Sequence, residues 1–347
     1  MTIVRRNCWC ARVTAAASLF GVGGMLAAAP ARAELAAADP SNIITVQTEN
    51  DSIAHTDRNY TAGIRVGWTS PNVDAQGGSF LPSGLVNLDT YVWGEGRQRL
   101  SFDISNSIFT PKNTTTVTPD RRDRPYAGVL LGSAFLLHDT PTSRSLMGVS
   151  LGVLGPSARS EDIQNGFHDL INDPEAAGWR HQIRDMPIGQ LFVGRTLRYE
   201  LTPDPGSGID IDVLPSASAG VGTLRDYVQA GLQFRVGQGL QSDFGTTRIR
   251  PGLSGSDAYT PNREFVWYVF LGVDGQAIGW DSTLDGNPFR SGPHVSRQPF
   301  VGEIEGGIAV IYRGVRFTYT HVGQTQEFYG QRGGLFQFGS FAASVRF

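Results

Sequence analysis

Gln164 and His168 stand four residues apart and project from the same side if their segment is helical. The apolar residues of Ser160-Glu161-Asp162-Ile163-Gln164-Asn165-Gly166-Phe167-His168-Asp169-Leu170-Ile171 support a helix. Ile163, Phe167 and Leu170–Ile171 fall at i, i+4 and i+7/i+8, an amphipathic stripe. Imidazole is well suited to moving a proton near neutral pH, which makes His168 a candidate general base. A surface histidine on a loop helix is the other reading. A second cluster is Glu49-Asn50-Asp51 followed by Thr56-Asp57-Arg58-Asn59-Tyr60-Thr61-Ala62-Gly63. Carboxylate, amide and hydroxyl oxygens crowded at two strand ends suit a hard cation such as calcium. The spacing is not that of an EF-hand, and a polar hairpin loop would look similar. A third cluster, Asp120-Arg121-Arg122-Asp123-Arg124-Pro125-Tyr126-Ala127-Gly128, could hold phosphate by forked hydrogen bonds or simply neutralise itself. Lys112, the only lysine in the sequence, lies nearby.

The elements that must position these groups read as short strands. The chain has 347 residues, with 43 Gly, 10% aromatic and only 18% charged residues. No run of 18 apolar residues occurs beyond the first 35 positions, which excludes a polytopic helical membrane protein. Period-two alternation recurs instead. Phe341, Ala343, Val345 and Phe347 share one face of the last strand, with Ala342, Ser344 and Arg346 on the other. Leu100, Phe102 and Ile104 alternate with Ser101, Asp103 and Ser105; Val315, Phe317 and Tyr319 alternate with Arg316, Thr318 and Thr320. Glu303 and Glu305 lie opposite an apolar set from Phe300 to Tyr312. An apolar face backed by carboxylates and arginines fits a lipid-facing wall around a polar lumen.

Such runs fall near 42–51, 60–70, 98–109, 125–138, 143–154, 187–200, 208–220, 225–237, 264–280, 298–312, 314–323 and 336–347. The expectation is therefore an all-β, transmembrane, antiparallel up-and-down barrel of about twelve strands, with a short helix in an extracellular loop. With a periplasmic N-terminus, long links should follow odd strands. The stretches 110–124, 155–186 and 281–297 obey this, whereas 71–97 and 238–263 do not.

The first 33 residues read as a signal peptide. Arg5 and Arg6 precede an apolar stretch from about Val13 to Ala29, and Ala31-Arg32-Ala33 is an A-x-A cleavage site. Residues 34–347 would form the barrel domain in the bacterial outer membrane. Cys8 and Cys10, the only cysteines, fall in the leader, so disulfide, thiolate and Cys-zinc chemistry are not expected of the mature chain. Four of the 29 Lys and Arg residues also lie there, leaving the mature chain more acidic than the overall charge of −3 and arguing against nucleic acid as a partner.

Taken in order, several stretches resemble the LpxR family of outer-membrane lipid A deacylases. They are Glu49-Asn50-Asp51, Asp57-Arg58-Asn59-Tyr60-Thr61-Ala62-Gly63, Asp123-Arg124-Pro125-Tyr126-Ala127-Gly128, Gly155-Pro156, Gln164-Asn165-x-x-His168 and Gly178-Trp179. The resemblance spans about residues 42–347. It implies a twelve-stranded barrel with its site between the outer wall and a loop helix, and calcium-dependent removal of acyl chains from the 3′ position of lipid A. Carried over, His168 would activate water, and Asn50, Asp51, Thr61 and Gln164 would be site residues. Calcium would be held by Asn50, Asp51 and Thr61.

The family carries an acidic residue about six positions after the histidine; here Pro174 stands there, flanked by Asp173 and Glu175 as possible ligands. Lys112, Arg121, Arg122, Arg124 and Asn165 are the expected contacts for lipid A within lipopolysaccharide, amid the outer-membrane lipids. His294-Val295-Ser296 has the His-x-Ser spacing of PagL-type serine esterases, but it lies in a loop-like stretch and lacks an orienting third group. The competing functions are a phospholipase on the same barrel and a non-catalytic porin or structural barrel.

Overall fold

The computed structural model describes residues 37–52, 58–73, 83–203, 205–206, 208–249 and 257–347. The expected leader and residues 53–57, including Thr56 and Asp57, lie outside these. Among the described residues no helix is long and apolar enough to cross a membrane. The chain crosses with strands: β1 (Ile43–Asn50), β2 (Asn59–Thr69), β3 (Arg97–Thr110), β4 (Ala127–Asp139), β5 (Ser143–Leu154), β6 (Met186–Leu197), β7 (Asp210–Gly222), β8 (Arg225–Gln238), β9 (Phe265–Asp281), β10 (Phe300–Tyr312), β11 (Val315–Gln324) and β12 (Phe336–Arg346). Tyr199–Glu200 adds a two-residue pairing with β7 just beyond β6. Every strand pairs antiparallel with its sequence neighbour, and β1 pairs with β12, so the sheet closes on itself. This is the twelve-stranded barrel expected, with strand bounds shifted by no more than about three residues.

Alternation explains the wall. On β1, Ile43, Thr45, Gln47 and Glu49 are buried, whereas Ile44 and Val46 are exposed. Ile64, Val66, Ile104, Leu151, Leu271, Phe317 and Phe341 continue the exposed apolar set around the cylinder. In a bilayer such exposure is burial in lipid, and closure satisfies the backbone without leaving an edge.

The end at which β1 begins and β12 finishes, the terminal end, holds the links 70–96, 140–142, 198–209, 239–264 and 313–314. The opposite end holds 51–58, 111–126, 155–185, 223–224, 282–299 and 325–335. Two terminal-end links are long, and the structure gives each a use. The first carries helix α1 (Ser83–Trp93), whose Asp89 accepts from His138 Nδ1 at 2.6 Å and Gln98 Nε2 at 2.8 Å.

The second link folds back into the lumen. Thr247 O accepts from Gln47 Nε2 at 2.8 Å, and Ile249 N donates to Glu49 Oε1 at 2.9 Å. Asp257 takes a forked pair of hydrogen bonds from Arg65 at 2.7 and 2.8 Å. Asp243 is bound by Arg235 at 2.6 Å and Tyr268 at 2.8 Å. The Arg248 side chain, 1% exposed, reaches Glu303 at 2.5 Å, Glu305 at 3.3 Å and Asp274 at 3.7 Å. Buried charges persist only when paired, and here the link supplies the partners for the wall's lumen face. A cavity of about 220 Å³ remains beside it, lined by Arg65 and Arg248 together with Val129, Leu131, Phe135 and Phe192.

Candidate functional site

The site is built on the outer face of β1–β4 at the end opposite the terminal one. Residues directly opposite one another in register share a face. Asn50 pairs with Ala62, Ala62 with Ile108, and Ile108 with Gly128, giving one row across four strands. Asn50 has the parity of Ile44 and Val46, so it belongs to the outer face; Glu49 beside it faces the lumen and accepts from Tyr60 Oη at 2.8 Å. Between Tyr60 and Ala62 the register slips by one residue, so Thr61 is a bulge. Bulges re-aim side chains. Here Thr61 Oγ1 meets Thr110 Oγ1 at 2.6 Å, and Thr110 has the outward parity of Ile108. Asp51, 1% exposed, donates its N–H to the Thr61 carbonyl at 3.1 Å and accepts from Arg58 N at 2.8 Å. Asn50 Oδ1 accepts from Ser52 N at 2.6 Å.

Helix α2 (Ser160–Ile171) packs over the β3–β4 part of this row. Its start is fixed at Gly128, where an added Cβ would lie 2.4 Å from Ser160 Oγ; only a glycine lets the helix approach the wall so closely. Ser160 also donates to Asn106 Oδ1 at 2.9 Å, and Asn106 Nδ2 donates to the Ala158 carbonyl at 2.9 Å. The helix ends at Asn172, whose left-handed backbone (φ 60°) returns its N–H to the Asp169 and His168 carbonyls. Ser160, Gln164 and His168 form its buried face.

Trp179, completely buried, pins the returning chain. Its Nε1 donates to Gln164 Oε1 at 2.9 Å, its ring lies 4.9 Å from that of Tyr126, and it clusters with Ile108, Ala176 and the flank of Ala62. The structure thus brings the Gln164 face of the helix and the Asn50 row to one place through Trp179 and Ala62. Asn165 Oδ1 accepts from Ala176 N at 2.9 Å, an anchor for the same return segment.

His168, 5% exposed, places Nδ1 2.6 Å from the Pro174 carbonyl oxygen. A carbonyl only accepts, so Nδ1 is the donor here, and Nε2 is the ring nitrogen this bond leaves unengaged. At position 174, where the resemblance implies an acidic residue, the main-chain carbonyl of Pro174 holds the ring. Asp173 and Glu175 are exposed, and Asp173 N caps the His168 carbonyl at 2.9 Å.

The oxygens of Asn50, Asp51 and Thr61 are the hard donors calcium takes. Among the described residues no three His, Cys, Asp or Glu side chains converge to hold a metal. A calcium ion here would rely on neutral oxygens around the Asp51 carboxylate, a donor set that fits the ion in kind.

The basic cluster divides. Lys112, Arg121 and Arg122 are exposed on the link above the row; Arg122 forks onto Asp120 at 3.1 and 3.2 Å, and that hydrogen bonding holds the Asp120 carboxyl below its ordinary range. Arg124 stands apart from these three: it is completely buried, paired with Glu327 at 3.0 Å and stacked 4.6 Å over Phe109, so it is turned inward rather than presented on the link surface. His294 is exposed, while Val295 is buried with Leu284 and Phe328, so the His-x-Ser stretch serves packing.

These features define an outer-membrane barrel of twelve strands with a helix-covered site on its wall. The family model described as "Outer membrane protein LpxR" matches residues 18–347, and the chain belongs to that family. Among solved structures, LpxR from Salmonella typhimurium aligns with TM-score 0.70 at 20% identity, covering 88% of this chain and all of that one. The β domain of the Bordetella autotransporter BrkA aligns at TM-score 0.39 and 10% identity, over 90% of this chain and 99% of its own. No curated protein matches the sequence.

Proposed function

We propose that this protein is a calcium-dependent lipid A deacylase, hydrolysing the ester that carries acyl chains at the 3′ position. The observation that carries the reading is the buried His168, its Nδ1–H committed to the Pro174 carbonyl, on the wall-facing side of a helix docked beside the Asn50 row. With Nδ1 engaged, Nε2 is the atom that takes a proton from attacking water, the task of a general base. Pro174 positions the ring through its carbonyl. Gln164 fixes Trp179, and Trp179 fixes the spacing between helix and wall. Asn50, Asp51 and Thr61 would hold calcium, which when bound supplies Lewis-acid polarisation of the ester carbonyl and stabilisation of the oxyanion. Asn165 keeps the return segment in place, and Lys112, Arg121 and Arg122 offer cationic groups to the sugar phosphates.

The test is the mass of purified lipid A after incubation with the protein in calcium or chelator. The expected result is loss of the 3′-linked acyl mass in calcium only. His168→Ala should keep a heat-modifiable, folded barrel while the rate falls by about 10²–10⁴-fold. Unchanged lipid A with shortened phospholipid would transfer the assignment to a phospholipase. Full activity of His168→Ala would remove the imidazole from the chemistry.

A further inference from the structure

Helix α2 uses only part of its circumference to dock. With Gln164 and His168 on the wall, about 100° of rotation per residue puts Ile163, Phe167 and Leu170 on one flank and Glu161, Asn165 and Asp169 on the other. The apolar flank is uncovered: Ile163 is 43%, Phe167 47% and Leu170 81% exposed. The direction of each flank follows from hydrogen bonds. The polar flank meets the return segment, through Ala176 N to Asn165 Oδ1, and Ala177 N then donates to Thr114 O at 2.9 Å in the link 111–126. That flank therefore faces the links that rise away from the bilayer.

The apolar flank is turned the other way, down the wall. There the lipid-facing belt begins at once: Ile64 lies two residues from Ala62, and Ile104 four residues from Ile108. Two strand residues span about 7 Å, comparable with the radius of a helix with its side chains.

We propose that the Ile163–Phe167–Leu170 flank is a membrane-insertion surface, seated in the acyl-chain layer of the outer leaflet as an extension of the barrel's own lipid belt. An amphipathic helix lying in the interface with one flank in hydrocarbon and the other in water is a stable arrangement. It holds whatever reaction the site performs. It also places the seam between helix and wall level with the acyl chains, so that a lipid would approach it sideways rather than from solution.

The chain suits a site-specific probe, because Cys8 and Cys10 are its only cysteines. In a Cys8→Ser, Cys10→Ser background, Leu170→Cys and Glu161→Cys are labelled with an environment-sensitive fluorophore. The labelled full-length barrels are placed in phosphatidylethanolamine–phosphatidylglycerol vesicles containing acyl-chain nitroxide lipid. The label at position 170 should be quenched several-fold more by nitroxide than by aqueous iodide, and the label at 161 should show the reverse order. Equal iodide access at both positions, with no nitroxide quenching at 170, would overturn the proposal. Heat-modifiable migration checks each barrel, and Ile163→Cys on the same flank replaces Leu170→Cys if the latter fails to fold.

Discussion

The spacing between helix and wall rests on one side chain, and Trp179→Ala tests that directly. Trp179 is fully buried, packs on Tyr126 and donates to Gln164. Truncating a buried Trp to Ala costs about 3–5 kcal/mol. The twelve-strand ladder does not run through this residue, so the loss falls on docking of the segment 155–185. At about 1.4 kcal/mol per tenfold, even the lower figure reduces the docked-to-undocked ratio by roughly two orders of magnitude. Trp179→Phe keeps a ring against Tyr126 and loses the bond to Gln164, about 1 kcal/mol or several-fold. The assay pairs the rate of acyl release from lipid A with limited proteolysis within 155–185, in barrels shown intact by heat-modifiable migration. The expected order is wild type, then Trp179→Phe, then Trp179→Ala, with protease sensitivity rising as rate falls. A Trp179→Ala protein that keeps wild-type turnover and a resistant loop would refute the idea that this indole sets the site.

Two other perturbations follow. Gly128→Val would drive a branched side chain into Ser160, 2.4 Å from where the first carbon must go, so helix docking should fail while the barrel still folds; loss of acyl release with unchanged strand content by circular dichroism is the readout. Arg248→Leu would leave Glu303, Glu305 and Asp274 without their shared cation, at a cost of about 3–5 kcal/mol for a broken buried pairing. The link should withdraw from the lumen, lowering the unfolding temperature and raising single-channel conductance in planar bilayers; a closed barrel of normal stability would show that Arg248 is dispensable to the plug.

The wall was legible in the sequence because each crossing repeats a short local rule. Phe341, Ala343 and Val345 against Ala342, Ser344 and Arg346 need no knowledge of distant partners. The helix at Ser160–Ile171 was legible for the same reason. The plug was not, since Thr247 and Ile249 find Gln47 and Glu49 some 200 residues away, and nothing local marks a polar link as internal. Nor could sequence separate Arg124 from Arg121 and Arg122: three arginines in four positions look alike until one turns inward to Glu327. Pro174 read as a missing carboxylate. That its carbonyl would meet His168 was invisible, because every residue carries one. The eleven-residue helix α1 went unread, its Leu85, Leu88 and Tyr91 too exposed to mark a core-facing stripe.

The link inside the barrel has a mechanical consequence for the strand that carries Asn50. Glu49, its immediate neighbour, is gripped from within by Ile249, while the outer side of the same strand end is clasped through Ala62 and Trp179. The wall at this point is a stiff plate held on both sides, and its inner support enters from the opposite mouth of the cylinder. A pull on that mouth would be felt, across the thickness of the membrane, as slack beneath Asn50 and Asp51.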